Sequence, residues 1–91
     1  MTDIQVLQMP PFKRRYKKLH LNQKAAVDAA IRAIIQDPER GERKRGDLAG
    51  VYVYQFDCLG QQMLLAYEWD PTRRVLLALG VHENFYRDLK H

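Results

Sequence analysis

The sequence has few of the residues that cross-link a small domain or hold a metal ion. It is 91 residues long and contains one cysteine, Cys58, which cannot form an internal disulfide bond. No cysteines and histidines occur at the spacing of a zinc site, so the sequence predicts no metal and no cofactor. A reduced, uncross-linked chain of this kind is typical of a cytoplasmic protein.

Long apolar segments are also lacking. Apolar runs such as residues 75–79 are far shorter than the roughly 20 residues that cross a bilayer. The first three residues show neither the basic start nor the apolar stretch of a secretory signal. We therefore expect a cytoplasmic protein with no membrane partner.

Positive charge is present in excess, and its distribution is uneven. The formal net charge is +4. Two segments ahead of the main apolar strands are crowded with cations. These are Lys13, Arg14, Lys17 and Lys18 in the first, and Arg40, Arg43, Lys44 and Arg45 in the second. Such patches suit a polyanion or an acidic protein partner. A solvated, solubilising surface explains either patch equally well, and composition alone does not choose between the two.

The first half of the chain has a helical pattern. A short edge strand over residues 4–7 is followed by two prolines, and Phe12, Tyr16 and Leu19 then recur at the spacing of one helix face. Asn22 is the expected N-cap of a second helix that extends to Gln36. The polar, charged residues 39–47 predict a loop.

The second half has the alternating pattern of strands. From residue 51, Tyr52, Tyr54 and Phe56 fall on one face, whereas Gln55 and Asp57 fall on the other. Turns are expected at residues 59–61 and 70–72. Residues 63–69 and 75–79 are then the second and third strands of a meander, and residues 83–90 form a terminal helix.

This order predicts a single α+β domain over residues 1–91, with the element sequence β-α-α-β-β-β-α. Two N-terminal antiparallel helices would pack across one face of a small twisted antiparallel sheet. The other face of the sheet would stay partly open and concave. Side chains on that open face would be available for chemistry.

Several segments in this order resemble the RelE/ParE toxin superfamily. The resemblance extends from about residue 12 to residue 89 and depends on the order and spacing of its motifs together. The segments are the helical pair from Phe12-Lys13-Arg14-Arg15-Tyr16 to Asp37-Pro38, the loop Asp47-Leu48-Ala49-Gly50, the strand Leu64-Leu65-Ala66-Tyr67 and the C-terminal stretch from Ala78 to Tyr86.

The resemblance implies a RelE-like microbial RNase-type fold and a function. Such a protein would cut mRNA on the ribosome without a metal, by attack of a ribose 2′-OH on the adjacent phosphate, and would contact ribosomal RNA. An acidic antitoxin would wrap and neutralise it. Operator DNA would be bound only indirectly, through the antitoxin complex.

The resemblance also implies site residues. His82 and Tyr86 match relatives that place a histidine after the last strand and an aromatic residue four positions later. An imidazole titrates near neutral pH and can exchange a proton during phosphoryl transfer. Tyr86 can stack on a base or hydrogen-bond a phosphate. Without the resemblance, local capping by His82 and core packing by Tyr86 are the simpler interpretations.

The open-face positions depart from the best-known RelE pattern. Where that pattern has basic residues, this sequence has Gln55, Asp57 and Leu64. Cations stabilise the charge that grows in the transition state of RNA cleavage, so their loss weakens that stabilisation. Asp57 instead suits a base or a residue that orients His82, and Gln55 occupies a substrate-binding position. Lys44 and Arg45 are candidate replacement cations.

Two other functions remain open from the sequence. One is a ParE-like toxin that inhibits DNA gyrase without cleaving RNA, which the missing cations favour. The other is a catalytically degenerate relative that binds an antitoxin and acts in regulation. Arg73 and Arg74, ahead of the last strand, are interpreted as a charged loop.

Overall fold

The computed structural model describes residues 3–81. Two helices and five strands follow one another along this part of the chain. They are β1 (Gln5–Gln8), α1 (Pro10–Lys17), α2 (Leu21–Gln36), β2 (Glu42–Arg43), β3 (Tyr52–Cys58), β4 (Gln61–Asp70) and β5 (Arg73–Gly80). Within this range neither helix has the length and apolar composition to span a bilayer. The expected terminal helix, residues 83–90, lies outside the described residues.

The strands form one mixed sheet in the order β1-β5-β4-β3-β2. The pairs β2–β3, β3–β4 and β4–β5 are antiparallel, whereas β1 runs parallel to β5. The α+β class and the layer of two helices on a sheet are confirmed. The all-antiparallel sheet is corrected at β1, because its direction is set by pairing with a strand more than sixty residues later, which no local pattern encodes. The two-residue β2 lies in the segment predicted as a loop.

The helix-facing side of the sheet carries the main core. Phe12 of α1 and Val27 and Ile34 of α2 are fully buried against Leu65 and Leu76 of the sheet. Tyr52, Tyr54 and Phe56 of β3 are half-buried on the same side, as the alternation predicted. Burial of this apolar surface is the dominant favourable contribution to folding. A smaller cluster on the opposite side contains Val51, Val53, Leu64, Ala66 and Ala78.

A β-bulge explains why the sequence of β5 is continuously apolar and does not alternate. Ala66 of β4 pairs with Ala78, but its neighbour Tyr67 pairs with Leu76, so Leu77 is the extra residue of β5. Because one residue is inserted, Leu76 and Leu79 both belong to the core beneath the helices, although they are an odd number of positions apart. Ala78 faces the other way. A simple alternation could not have produced this pattern.

The start of α2 differs from the expectation. The helix begins at Leu21, and its N-cap is His20, not Asn22. The side-chain oxygen of Gln23 accepts a hydrogen bond from the backbone N–H of His20 at 2.8 Å. This bond is part of a capping box and satisfies the backbone N–H of His20. The helix therefore begins two residues earlier than it would with Asn22 as its N-cap. The end of α2 before Asp37 is as predicted.

Candidate functional site

The open face of the sheet brings polar side chains of β3 and β4 together. Gln55 lies opposite Leu64, and Asp57 lies opposite Gln62. The amide nitrogen of Gln55 donates a hydrogen bond to the amide oxygen of Gln62. Gly80 of β5 lies on the other side of Leu64. Gln55, Leu64 and Gly80 therefore form one row across three strands, next to the Gln55–Gln62 pair.

Asp57 has a structural contact at the end of this row. Its Oδ2 accepts a hydrogen bond from the backbone N–H of Gly60 at 3.3 Å, within the turn that joins β3 to β4. The carboxylate is exposed beside solvent. The neighbouring thiol of Cys58 has a raised pKa because it is buried and, secondarily, because the Asp57 charge opposes its ionisation. Cys58 is therefore a neutral core side chain and a poor nucleophile at neutral pH.

The structure does not bring Lys44 and Arg45 to this row. The backbone N–H of Lys44 bonds the carbonyl of Val51 at 2.9 Å, which lies at the opposite end of β3 from Asp57. Gln55 lies four residues and Asp57 six residues from Val51 along the strand, which corresponds to about 13 Å and about 20 Å. The Lys44 ammonium also lies 3.4 Å from a carboxylate oxygen of Glu42. Arg45 is exposed, immediately ahead of a short 3-10 turn, Gly46–Leu48.

The remaining two predicted site residues, His82 and Tyr86, lie outside the described residues. Within residues 3–81, no three histidine, cysteine or acidic side chains lie close enough together to hold a metal ion. The described part of the site is therefore a set of amides and one carboxylate that can accept and donate hydrogen bonds.

Sequence reasoning missed the role of Arg74. Its side chain is buried, only 4% exposed. The guanidinium donates to the carbonyls of Ile34 and Ile35, each at 2.9 Å. The same group donates to the Asp70 carbonyl at 2.7 Å and lies 5.7 Å from the Trp69 ring centroid. A cation here satisfies carbonyls at the end of α2 and complements the negative pole of the helix. In the sequence, the indication of this role was that Arg74 lies two residues before Leu76 and therefore on the same, helix-facing side of the strand.

Tyr67, the tyrosine of the strand motif, is hydrogen-bonded to the segment that follows α2. Its hydroxyl donates to the Pro38 carbonyl at 2.6 Å and accepts from the Gly41 N–H at 3.0 Å. The side chain is completely buried, and this burial raises the pKa of the phenol. A Cβ atom at Gly41 would lie 2.7 Å from the hydroxyl oxygen, so the close approach requires glycine there. Tyr67 thus fixes the chain between α2 and β2.

The basic patch of the first segment lies on α1. The helix exposes only cations among its charged side chains, and Lys18 directly follows it. These exposed cations are Lys13, Arg14, Arg15, Lys17 and Lys18. The helix is tied to α2 through Tyr16, whose hydroxyl donates to Asp28 at 2.8 Å. The hydrogen bond to Asp28, followed by burial, raises the pKa of Tyr16. The result is a basic surface on a helix that is hydrogen-bonded to α2.

The described residues thus form a small α+β protein in which a helical pair, one helix of it basic, packs on a five-stranded mixed sheet with polar side chains at one end of its open face. The sequence model of the ParE-like toxin of type II bacterial toxin–antitoxin systems matches residues 6–90. The chain therefore belongs to this family, within the RelE/ParE superfamily, and is a toxin of a type II toxin–antitoxin system. A search of curated proteins found no match.

Solved structures show the same fold. The chain is similar to the RelBE2 toxin–antitoxin complex of Mycobacterium tuberculosis, with a TM-score of 0.72, 22% identity and coverage of 89% of this chain and 100% of that one. The intact RelBE toxin–antitoxin complex of E. coli gives a TM-score of 0.70 at 12% identity, covering 88% and 98%. The YoeB/ParE toxin of Agrobacterium tumefaciens gives a TM-score of 0.66 at 14% identity, with coverage of 87% of this chain and 99% of that one. At these identities the likeness concerns the fold.

Proposed function

We propose that this toxin is an mRNA interferase that cuts mRNA on the ribosome and thereby stops translation. The observation that carries the proposal is the group of polar side chains of Gln55, Asp57 and Gln62 at one end of the open face. Gly80 ends β5 beside Leu64, next to the Gln55–Gln62 pair. In the sequence, His82 follows Gly80 by two residues, and the proposal assigns the imidazole of His82 to this site.

The proposed reaction is an intramolecular attack of a ribose 2′-OH on the adjacent phosphate. His82 transfers the proton, either by taking it from the 2′-OH or by giving it to the departing 5′-oxygen. Gln55 hydrogen-bonds the sugar-phosphate backbone, and Tyr86 stacks on a base. Asp57 orients the imidazole or acts as the base. These roles require only proton transfer, hydrogen bonding and base stacking by side chains.

Lys44 and Arg45 have a different role in this proposal. They lie near the start of β3, about 13 Å of strand from Gln55 and about 20 Å from Asp57, so the proposal places them away from the phosphate that is cleaved. Instead they bind phosphates of ribosomal RNA or of distant mRNA nucleotides. An acidic antitoxin neutralises the toxin by covering the cations of α1, and the complex with it carries any contact to operator DNA.

One observation favours a second function. Neither Gln55, Asp57 nor Leu64 supplies a cation to the open face, and an ionised Asp57 repels a phosphate. A ParE-like toxin that inhibits DNA gyrase needs no cations at these positions. The same observation fits a catalytically degenerate toxin that only binds its antitoxin.

The test is induced expression in a bacterial host of wild type and of His82→Ala, with primer extension on an abundant transcript. We expect growth arrest and in-frame mRNA cuts in wild type, and loss of both with His82→Ala. His91→Ala, which alters the terminal histidine, is the matched control and should behave as wild type. Arrest without cuts would support the gyrase alternative, and no arrest would support the degenerate one.

The variant Asp57→Asn removes the charge of Asp57 but keeps an oxygen that can accept the hydrogen bond of the turn. The carboxamide oxygen can still accept the hydrogen bond from Gly60, so the turn should persist. A catalytic or orienting carboxylate predicts fewer cuts with unchanged toxin stability. Equal or greater cleavage would show that the Asp57 charge does not assist the reaction.

A further inference from the structure

The two edge strands of the sheet differ in charge. The strand β2, at one edge, consists of Glu42 and Arg43, and Lys44 follows it. The strand β1, at the other edge, has the sequence Gln-Val-Leu-Gln and carries no charge. Charged side chains on an edge strand oppose pairing with a further strand, so β2 is protected in this way and β1 is not. We call the outer side of β1, from Gln5 to the adjoining Met9, the β1 edge.

The backbone of the β1 edge has hydrogen-bonding groups that the sheet does not use. The N–H groups of Gln5 and Met9 donate to carbonyls of β5 and of the turn before it, each at 2.9 Å. Residues 5, 7 and 9 therefore direct their backbone groups toward β5, because these groups alternate between the two sides of a strand. The N–H and C=O groups of Val6 and Gln8 point away from the sheet, and no strand in residues 3–81 lies beyond β1.

The β1 edge also exposes apolar side chains. Leu7 is 36% exposed and Met9 is 44% exposed. Val6 packs against the core beneath the helices, so its neighbour Leu7 points to the open face. On that face Leu7 lies opposite Val75 of β5. An additional strand beside β1 would cover Leu7 and bond the free backbone groups at the same time.

We propose that the β1 edge pairs with the β1 edge of a second copy of this chain. The two strands run antiparallel about a two-fold axis at Leu7. Val6 of each copy then pairs with Gln8 of the other, and their outward N–H and C=O groups bond each other. Leu7 faces Leu7 of the second copy as a non-hydrogen-bonded pair, the closer of the two pair types. The two five-stranded sheets become one continuous sheet.

Charge selects a second copy as the occupant of the β1 edge. A polyanion or an acidic protein is attracted to cations, and β1 has none, whereas α1 and the segment around β2 have many. An uncharged strand with an apolar residue near its centre is complementary to itself. The pairing covers only a short strand from each copy, less than the roughly 1,200–2,000 Å² that stable complexes bury. The dimer is therefore weak and depends on the protein concentration.

The same arrangement brings two basic helices near each other. The helix α1 begins at Pro10, directly after Met9. A two-fold axis perpendicular to the sheet places α1 of both copies on the same side of the joined sheet. Their exposed cations repel each other, and salt screens this repulsion. Self-association therefore strengthens as the salt concentration rises, whereas association through ion pairs weakens.

The experiment is sedimentation velocity of the purified toxin over a range of protein and salt concentrations. Every protein carries His82→Ala to permit expression. We expect a reversible dimer with a dissociation constant on the order of 10–100 μM, and tighter association at high salt. A toxin that stays monomeric at about 1 mM, or a dimer that salt weakens, would overturn the proposal.

A pair of charged variants tests the register at Leu7. Leu7→Lys and Leu7→Glu should each weaken self-association about tenfold or more, because like charges then face each other across the two-fold axis. An equimolar mixture of the two variants should associate at least as tightly as wild type, since opposite charges then meet. A mixture that stays monomeric, or single variants that associate as wild type does, would refute pairing about Leu7.

Leu59→Lys is the matched control because it adds the same charge at another exposed leucine. Leu59 is 59% exposed and lies in the turn between β3 and β4 at φ +56°, a conformation unfavourable for leucine and lysine alike. This variant should self-associate as wild type does, and loss of the dimer would assign the contact to a different surface. The measurement involves no RNA, so its outcome is independent of the proposed cleavage.

Discussion

The two ends of β4 differ in how most of their polar groups are bonded; among the described residues, the buried Nε1–H of Trp69 is an exception that has no hydrogen-bond partner. At the end near Tyr67 and Asp70, the buried hydroxyl of Tyr67 and the buried guanidinium of Arg74 are satisfied by hydrogen bonds to the chain around the end of α2. At the other end, the amides of Gln55 and Gln62 are exposed, and the adjacent turn holds Leu59 in an unfavourable conformation.

We expect this difference to separate residues that stabilise the sheet from residues that act in the proposed function. Buried polar groups contribute most when every donor and acceptor has a partner, and their loss is then expensive. Exposed amides, a carboxylate and a strained leucine add little to stability but remain available to ligands. We expect substitutions at the Tyr67 end to lower stability and substitutions at the turn end to alter binding or cleavage.

The largest expected effect is at Arg74. Arg74→Met keeps much of the side-chain volume but leaves the carbonyls of Ile34 and Ile35 without their donor. We expect the free energy of unfolding to fall by about 2–4 kcal/mol, measured by urea denaturation. Arg73→Met is the adjacent control and should cost much less, because Arg73 is exposed. Equal losses at the two positions would contradict the capping role of Arg74.

Tyr67→Phe should have the next largest effect. It removes a single oxygen atom and with it the hydrogen bonds to Pro38 and Gly41. The buried N–H of Gly41 then lacks this acceptor, so stability should fall by about 1–3 kcal/mol. Tyr54→Phe removes a hydroxyl from a half-buried tyrosine and is the matched control. If hydrogen exchange at Gly41 is unchanged in Tyr67→Phe, the role of Tyr67 in fixing this segment is wrong.

The smallest expected effect is the pH dependence of the stability that the Asp70 carboxylate contributes. The backbone N–H of Thr72, followed by the Arg73 guanidinium, lowers the pKa of Asp70 from 3.8 to about 2. A depressed pKa means that the carboxylate contributes stability above the unfolded-state value, and that this contribution disappears as pH falls through the folded-state value. The stability difference between wild type and Asp70→Asn should therefore be constant above about pH 4 and shrink toward pH 2. A difference that persists at pH 2 would refute this contribution.

Local patterns predicted the elements more successfully than their partners. The alternation of Tyr52, Tyr54 and Phe56 identified the helix-facing side of β3 because a strand has a period of two. The periodic apolar residues of α2 identified its buried face for the corresponding reason. The bulge at Leu77 and the parallel direction of β1 depend on pairing between distant segments, so they left no local pattern.

The positions of the candidate site residues were likewise predicted only in part. Gln55 and Asp57 were predicted to share the open face, and they do. Lys44 and Arg45 were grouped with them because both lie just ahead of β3 in the sequence. Pairing of β2 with the start of β3 instead holds them near Val51. Catalysis by His82, Tyr86 and Asp57 stays a prediction for the cleavage experiment.

The sequence by itself determined the two helices and the three main strands, because helical and strand periodicity depends on residues close together in the chain. It also determined the excess of positive charge and the order of motifs that resembles the toxin family, because both are read directly from the residues. Only the tertiary structure decided which charges are buried and which are exposed. Arg73 and Arg74 are chemically identical neighbours, yet one lies in solvent and the other binds the end of α2. That difference arises because successive residues of β5 point to opposite faces of the sheet, and one of those faces packs against α2, whose Ile34 carbonyl lies forty residues earlier in the chain.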